Sequence, residues 1–150
     1  MAPLLASCSY SSIEDGASYN HVTTVKDLFT SSFVLETGEG VVLFDAGYRS
    51  SNLESALEDR GLSLDRVTDV FLTHGHGDHV AGLELFPDAR IRALEGEVEL
   101  VAEESGASVT DPLSHGDIVA FGAFSVEAFS VPGHTAGNAA YLVDGVLLLG

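Results

Sequence analysis

Basic residues are nearly missing from this 150-residue chain. Six Lys plus Arg, with Lys26 the single lysine, face 23 Asp plus Glu, for a formal net charge of −17. Only 19% of residues are charged, below the usual quarter, so the acidity reflects the missing bases. A negative field of this size repels phosphate backbones and anionic lipid surfaces, which makes nucleic acid and membranes poor partners. Cysteine is equally scarce: Cys8 alone can build neither an intramolecular disulfide framework nor a Cys-rich zinc site. No apolar run reaches membrane-spanning length, so membrane insertion is not expected. There is no internal repeat, and no G-x-S-x-G motif to present a serine nucleophile. What is present is 45% hydrophobic residues, which argues against disorder despite the charge. A chain of this length can bury roughly two thirds of its unfolded surface.

Residues 1–28 read as an irregular N-terminal arm, rich in Ser and Gly over 6–20. Leu5-Ala6-Ser7-Cys8 is similar to the end of a bacterial lipoprotein signal, yet only seven residues precede Cys8 and none is basic. A working signal needs a charged start and a longer apolar stretch. The sequence as it stands therefore reads as cytoplasmic with a free Cys8. The alternative is an envelope lipoprotein anchored at Cys8, if an upstream signal is missing.

From Phe29 the pattern becomes regular. Phe33 to Leu35 and Val41 to Phe44, separated by Thr37-Gly38-Glu39-Gly40, read as a hairpin whose second strand is buried on both faces. Leu53, Ala56 and Leu57 share a helical face over 51–60, with Ser50 or Ser51 as N-cap candidate and Gly61 as the stop. A strand over 67–72, a helix over 80–86 ended by Pro87, a short strand over 91–94 and a helix over 97–104 ended by Gly106 follow. Strands are then expected over 118–121, 124–131, 139–143 and 146–149. Alternating strands and helices that give way to a meander suggest an α/β layered fold with a mixed sheet.

The densest chemistry is Thr73-His74-Gly75-His76-Gly77-Asp78-His79, after a buried strand and at the start of a helix. From this composition, H-x-H-x-D-H arises by chance in about seven of ten thousand such chains, so coincidence is a poor explanation. Imidazole nitrogens and carboxylate oxygens suit zinc and related divalent ions. His74 and His76, at i and i+2 on a strand-like end, project to one side and can share a metal. Asp78 and His79 point elsewhere as the chain turns into the helix, which suits a second metal nearby. Gly75 and Gly77 permit the tight backbone. A further His, His134, lies in the loop Val131-Pro132-Gly133-His134-Thr135-Ala136-Gly137-Asn138 after an apolar strand, from where it could reach the first metal.

The H-x-H-x-D-H loop, the P-G-H-T-x-G loop about 55 residues on, and the upstream Phe44-Asp45-Ala46-Gly47 turn together resemble the metallo-β-lactamase fold superfamily, in its glyoxalase II-like hydrolase branch. The resemblance implies an αββα sandwich, with 29–150 an incomplete domain that holds the N-terminal half and part of the second sheet. It implies His74, His76 and His134 on one metal, Asp78 and His79 on a second, and Asp45 beside the site, orienting a ligand. Asp78 is also the catalytic candidate. The expected cofactors are two divalent ions, zinc by preference and iron or manganese as alternatives. The expected reaction is attack of a metal-activated hydroxide on an ester, thioester, lactone or amide carbonyl of a small-molecule substrate.

In that family the strand matching Val146 to Gly150 runs into a Gly-Asp pair whose carboxylate bridges the metals, and a last His lies further on. The sequence ends at Gly150, so the chain is expected to be truncated, with incomplete metal binding and little activity of its own. A persulfide dioxygenase-like iron enzyme and a non-catalytic metal-binding module are the alternatives. His76 stands where flavodiiron reductases have Glu, His79 where true β-lactamases usually have Arg, and the charge disfavours RNA-processing branches. His115 and His21 read as surface residues. Glu95, Glu97, Glu99, Glu103 and Glu104 read as a solvated helix face.

Overall fold

Eleven strands and three helices appear in a computed structural model of the chain, which describes residues 13–150. Cys8 and the lipoprotein-like segment lie outside the described residues. β1 (Ser18–Tyr19), β2 (Val22–Asp27), β3 (Thr30–Glu36), β4 (Val41–Phe44), β5 (Val67–Phe71), β6 (Arg90–Leu94) and β7 (Asp111–Leu113) form one sheet in sequence order. Pairing is antiparallel from β1 to β4 and parallel from β4 to β7. A second, antiparallel sheet holds β8 (Ile118–Phe121), β9 (Phe124–Ser130), β10 (Ala139–Val143) and β11 (Val146–Leu149), in the order β11-β10-β9-β8.

The period-2 alternation of strand side chains explains the layers. In β4, Val41 and Leu43 face helices while Val42 and Phe44 face the second sheet, and all four are fully buried. The helical layer comprises α1 (Ser50–Glu58), α2 (Gly77–Val80) and α3 (Val98–Ser105), which contribute Leu53, Leu57, Val80 and Val101 to one core. The other core lies between the sheets. There Phe44 and Phe71 meet Tyr141, with ring centroids 5.9 and 5.2 Å away, among Val126, Ala128, Val143 and Leu148. The described residues thus stack as helix, sheet, sheet, in agreement with the α/β reading.

Four local expectations change. The described part of the arm is structured: β2 pairs with β3 through six residue pairs, and its β-branched Val22, Thr23, Thr24 and Val25 suit that role. The helix expected over 80–86 is α2, four residues long and starting earlier at Gly77, followed by a 3-10 turn at Leu83–Leu85. Gly82 separates them. A Cβ there would lie 2.6 Å from the Ala46 carbonyl oxygen, so the chain presses against the turn after β4 instead of continuing to coil. The short β7 was not expected, and it carries Pro112 at the edge of the sheet, where a missing N–H costs no ladder bond. Helix α1 takes Arg49 rather than a serine at its N-cap, and the Tyr48 and Arg49 amides donate instead to the buried Asp27 carboxylate at 3.0 and 2.9 Å.

Candidate metal centre

The parallel strands β4 and β5 end side by side, and the loops beyond their carboxyl ends carry the chemistry, as is usual where α/β sheets bind ligands. Beyond β4, Asp45 adopts a left-handed backbone with φ 58°, a conformation that Asp tolerates better than most residues. The turn is fixed from both sides: the Asp45 amide donates to the Phe71 carbonyl at 2.8 Å and the Ala46 amide to the His79 carbonyl at 2.6 Å. Beyond β5, the Leu72 amide donates to the Arg92 carbonyl, and the Leu72 carbonyl accepts from the buried Tyr141 hydroxyl at 2.7 Å. The Ala139 amide then donates to the Thr73 carbonyl at 2.7 Å, tying the start of β10 to the histidine loop.

His74 and His79 are buried, His76 and Asp78 half-buried, and His134 exposed. His74, His76 and His134 each offer an atom such that all three lie within 4.8 Å of one another, and so do His74, Asp78 and His79. His74 is therefore the hub of both groups, more central than the sequence pattern implied. Its ring centroid lies 4.9 Å from that of His76, 4.7 Å from His134 and 4.1 Å from His79. His76 Nδ1 and His134 Nε2 face each other at 3.0 Å. His21 and His115 stay outside both groups. His21 pairs with Asp144 at 2.6 Å, and His115 Nδ1 accepts from the Ser130 amide.

Asp45 is buried beside this cluster and accepts from the Thr73 amide and hydroxyl, both at 2.7 Å, while its Oδ2 lies 2.8 Å from His79 Nδ1. The Thr73 hydroxyl spends its one proton on Asp45, so at 3.1 Å it accepts from His74 Nδ1–H. Both links fix tautomers: His74 and His79 each carry a proton on Nδ1 and turn Nε2 inward. His74 Nε2 is buried with no hydrogen-bond partner. A buried orphan with a free lone pair, amid further imidazoles and a carboxylate, fits a divalent cation.

The electrostatics separate the two buried histidines. Burial, with the neighbouring His79 second, pushes the His74 imidazole down to about 4 and keeps it neutral, the form a metal needs. Burial also disfavours charge on His79, but the hydrogen bond to Asp45 and the charges of Asp45 and Asp78 outweigh it, and its affinity for a proton ends above the usual value.

Two participants escaped the sequence reading. Thr73 sits beside His74 in the motif itself, and its role emerges only when β4 brings Asp45 alongside. Glu97 belongs to no solvated face: it is 1% exposed, and its carboxylate accepts from the Gly75 amide at 2.7 Å and the Gly137 amide at 2.8 Å. Its i, i+4 relation to Val101, also buried, was the available signal. Glu95, Glu99, Glu103 and Glu104 are exposed as expected.

A two-sheet α/β fold with a His/Asp cluster beyond the ends of parallel strands presents the donor set of a candidate divalent-metal site. The chain belongs to the Metallo-beta-lactamase superfamily, whose family model matches residues 25–146. Curated relatives include a hydroxyacylglutathione hydrolase from Brucella ovis and another from Brucella abortus, each 39% identical over 89 residues, which cover 59% of this chain and 33% of the relative. The matched region thus spans about a third of those proteins. Among solved structures, a metallo-β-lactamase from Cronobacter sakazakii superposes with a TM-score of 0.78 at 23% identity, covering 85% of this chain and 57% of the other. The subclass B3 enzyme BJP-1 of Bradyrhizobium japonicum superposes with a TM-score of 0.76 at 19% identity, over 85% and 56%. At such identity these two speak for the fold alone.

Proposed function

We propose that this chain carries the metal-binding half of a dizinc hydrolase that cleaves a carbonyl ester, with thioesters the first substrate class to test. The observation that carries the reading is the convergence of His74, His76 and His134 around a buried, unpartnered His74 Nε2, with Asp78 and His79 alongside. His74, His76 and His134 would hold one divalent ion, and Asp78 and His79 a second. Bound there, such ions supply an acidified water and polarise a carbonyl. The chain's own contribution is orientation: Asp45 and Thr73 hold the His79 and His74 rings with Nε2 inward, and His134 is exposed to solvent. The name carried by the Brucella relatives supports a thioester substrate. No helix among the described residues is long and apolar enough to cross a membrane, and small molecules remain the expected partners.

The test is hydrolysis of a thioester, lactone and β-lactam panel by the full-length protein, before and after chelation and zinc restoration. Thioester turnover that chelation abolishes and zinc restores is expected. Full activity after complete metal removal would overturn the reading.

A further inference from the structure

The two histidine loops are far apart in sequence, yet His76 and His134 meet at 3.0 Å, and something must hold the loops in register. The backbone link from Ala139 to Thr73 lies at their roots. Nearer the histidines the contact runs through Glu97. One carboxylate oxygen takes the amide of Gly75, between His74 and His76, and the other takes the amide of Gly137, three residues after His134. We infer that Glu97 is a positioning residue that clasps the two metal-ligand loops together through these backbone amides. The inference rests on the reading that His74, His76 and His134 share an ion.

Close backbone approach makes the clasp possible. A Cβ on Gly75 would lie 2.8 Å from the Val101 amide nitrogen in the middle of α3. A Cβ on Gly137 would lie 2.6 Å from the Gly96 carbonyl carbon and 2.8 Å from the Glu97 nitrogen, and a Cβ on Gly96 would lie 2.9 Å from the Gly137 Cα. None of these three glycines has a positive φ, so the requirement is space and not backbone handedness. The three bare backbones let the turn at Glu95–Glu97 sit between both loops, within reach of a single side chain. A charged acceptor bonded to two amides out of water is a strong, directional tie. Removing it releases His134 from His74 and His76 without touching any imidazole.

The test compares Glu97→Gln and Gly137→Ala with the parent chain and with Glu99→Gln, which alters an exposed neighbour on the same acidic run. Two quantities are read at a temperature where every variant is folded: zinc affinity by competition with a chromophoric chelator, and the amide proton shifts of Gly75 and Gly137 without metal. The Gln variant keeps the size of the side chain but loses its charge and one of its two acceptors. It is expected to move the Gly75 and Gly137 amides upfield and to weaken zinc binding by about 10- to 100-fold, the range typical of groups that orient metal ligands. Gly137→Ala keeps the carboxylate but wedges the loops apart, and is expected to weaken zinc in the same direction. Glu99→Gln is expected to match the parent. Unmoved amide shifts with zinc affinity within twofold of the parent in Glu97→Gln would overturn the clasp. A parent chain that binds no zinc would overturn the metal reading instead, and the metal-free amide shifts still decide whether the carboxylate ties the loops.

Discussion

Asp45 and His79, 34 positions apart, meet with Oδ2 and Nδ1 at 2.8 Å, and the same buried carboxylate also holds the amide and hydroxyl of Thr73. One side chain at the end of β4 thereby orients both buried histidines, His79 directly and His74 through the Thr73 hydroxyl.

Replacing Asp45 with Asn keeps its shape but presents an amide N–H to at least one of three donors, and it removes the negative charge. A loss of about 2–3 kcal/mol in unfolding free energy is expected, since hydrogen bonds to charged groups and unsatisfied buried donors are each of that order. Chemical denaturation measures it. The same variant should bind less than one zinc equivalent at the Asp78 and His79 position. An unchanged denaturation midpoint would show that the carboxylate is not needed to order the loop.

The metal-free chain should respond to pH in two opposed ways. The His74 imidazole is lowered in the folded state to about 4, against 6.5 in an unfolded chain. As pH falls below 6.5 the unfolded chain takes up this proton first, so stability declines until about pH 4 and then levels. The folded His79 holds its proton more tightly than the unfolded chain does, so its contribution is fully present below 6.5 and is lost as pH rises through its raised folded value. His74→Gln should therefore flatten the acid-side decline, and His79→Gln should flatten the loss on the alkaline side of 6.5. Denaturation midpoints from pH 4 to 9 provide the readout, and slopes unchanged by either variant would contradict the assignment.

A second buried charge pair lies away from the histidines. Arg92 on β6 donates from Nε to Asp69 on β5 at 2.7 Å, stands over the Phe71 ring and approaches Asp111 at 3.6 Å. Both partners are more than nine-tenths buried, so Arg92→Ala strands the Asp69 carboxylate and is expected to cost about 3–5 kcal/mol. Adding Asp69→Asn should recover part of that loss. A destabilisation below 1 kcal/mol, of the kind an exposed pair gives, would show that the charges stay hydrated.

The regular middle of the chain was legible because its signals are local. Apolar runs, a four-residue turn and αL glycines at 61 and 106 mark strands, hairpin and helix ends, and the structure puts them there. The histidine cluster was legible for the same reason: all six residues His74–His79 are either candidate ligands or glycines that free the backbone, within one loop. What escaped depends on neighbours distant in sequence. The short α2 is set by Gly82 packing on Ala46, β2 is secured by its ladder to β3, and Glu97 is buried because Gly75 and Gly137 close over it. A run of five glutamates reads as a solvated face in one dimension. The fold shows that one of them, Glu97, points inward.

The most direct test of the central claim is anomalous diffraction at the zinc absorption edge from crystals of the zinc-loaded chain. A peak is expected about 2.0–2.1 Å from one nitrogen of each of His74, His76 and His134, with His74 contributing Nε2. A zinc ion held elsewhere, or no peak among these three imidazoles at saturating metal, would contradict it.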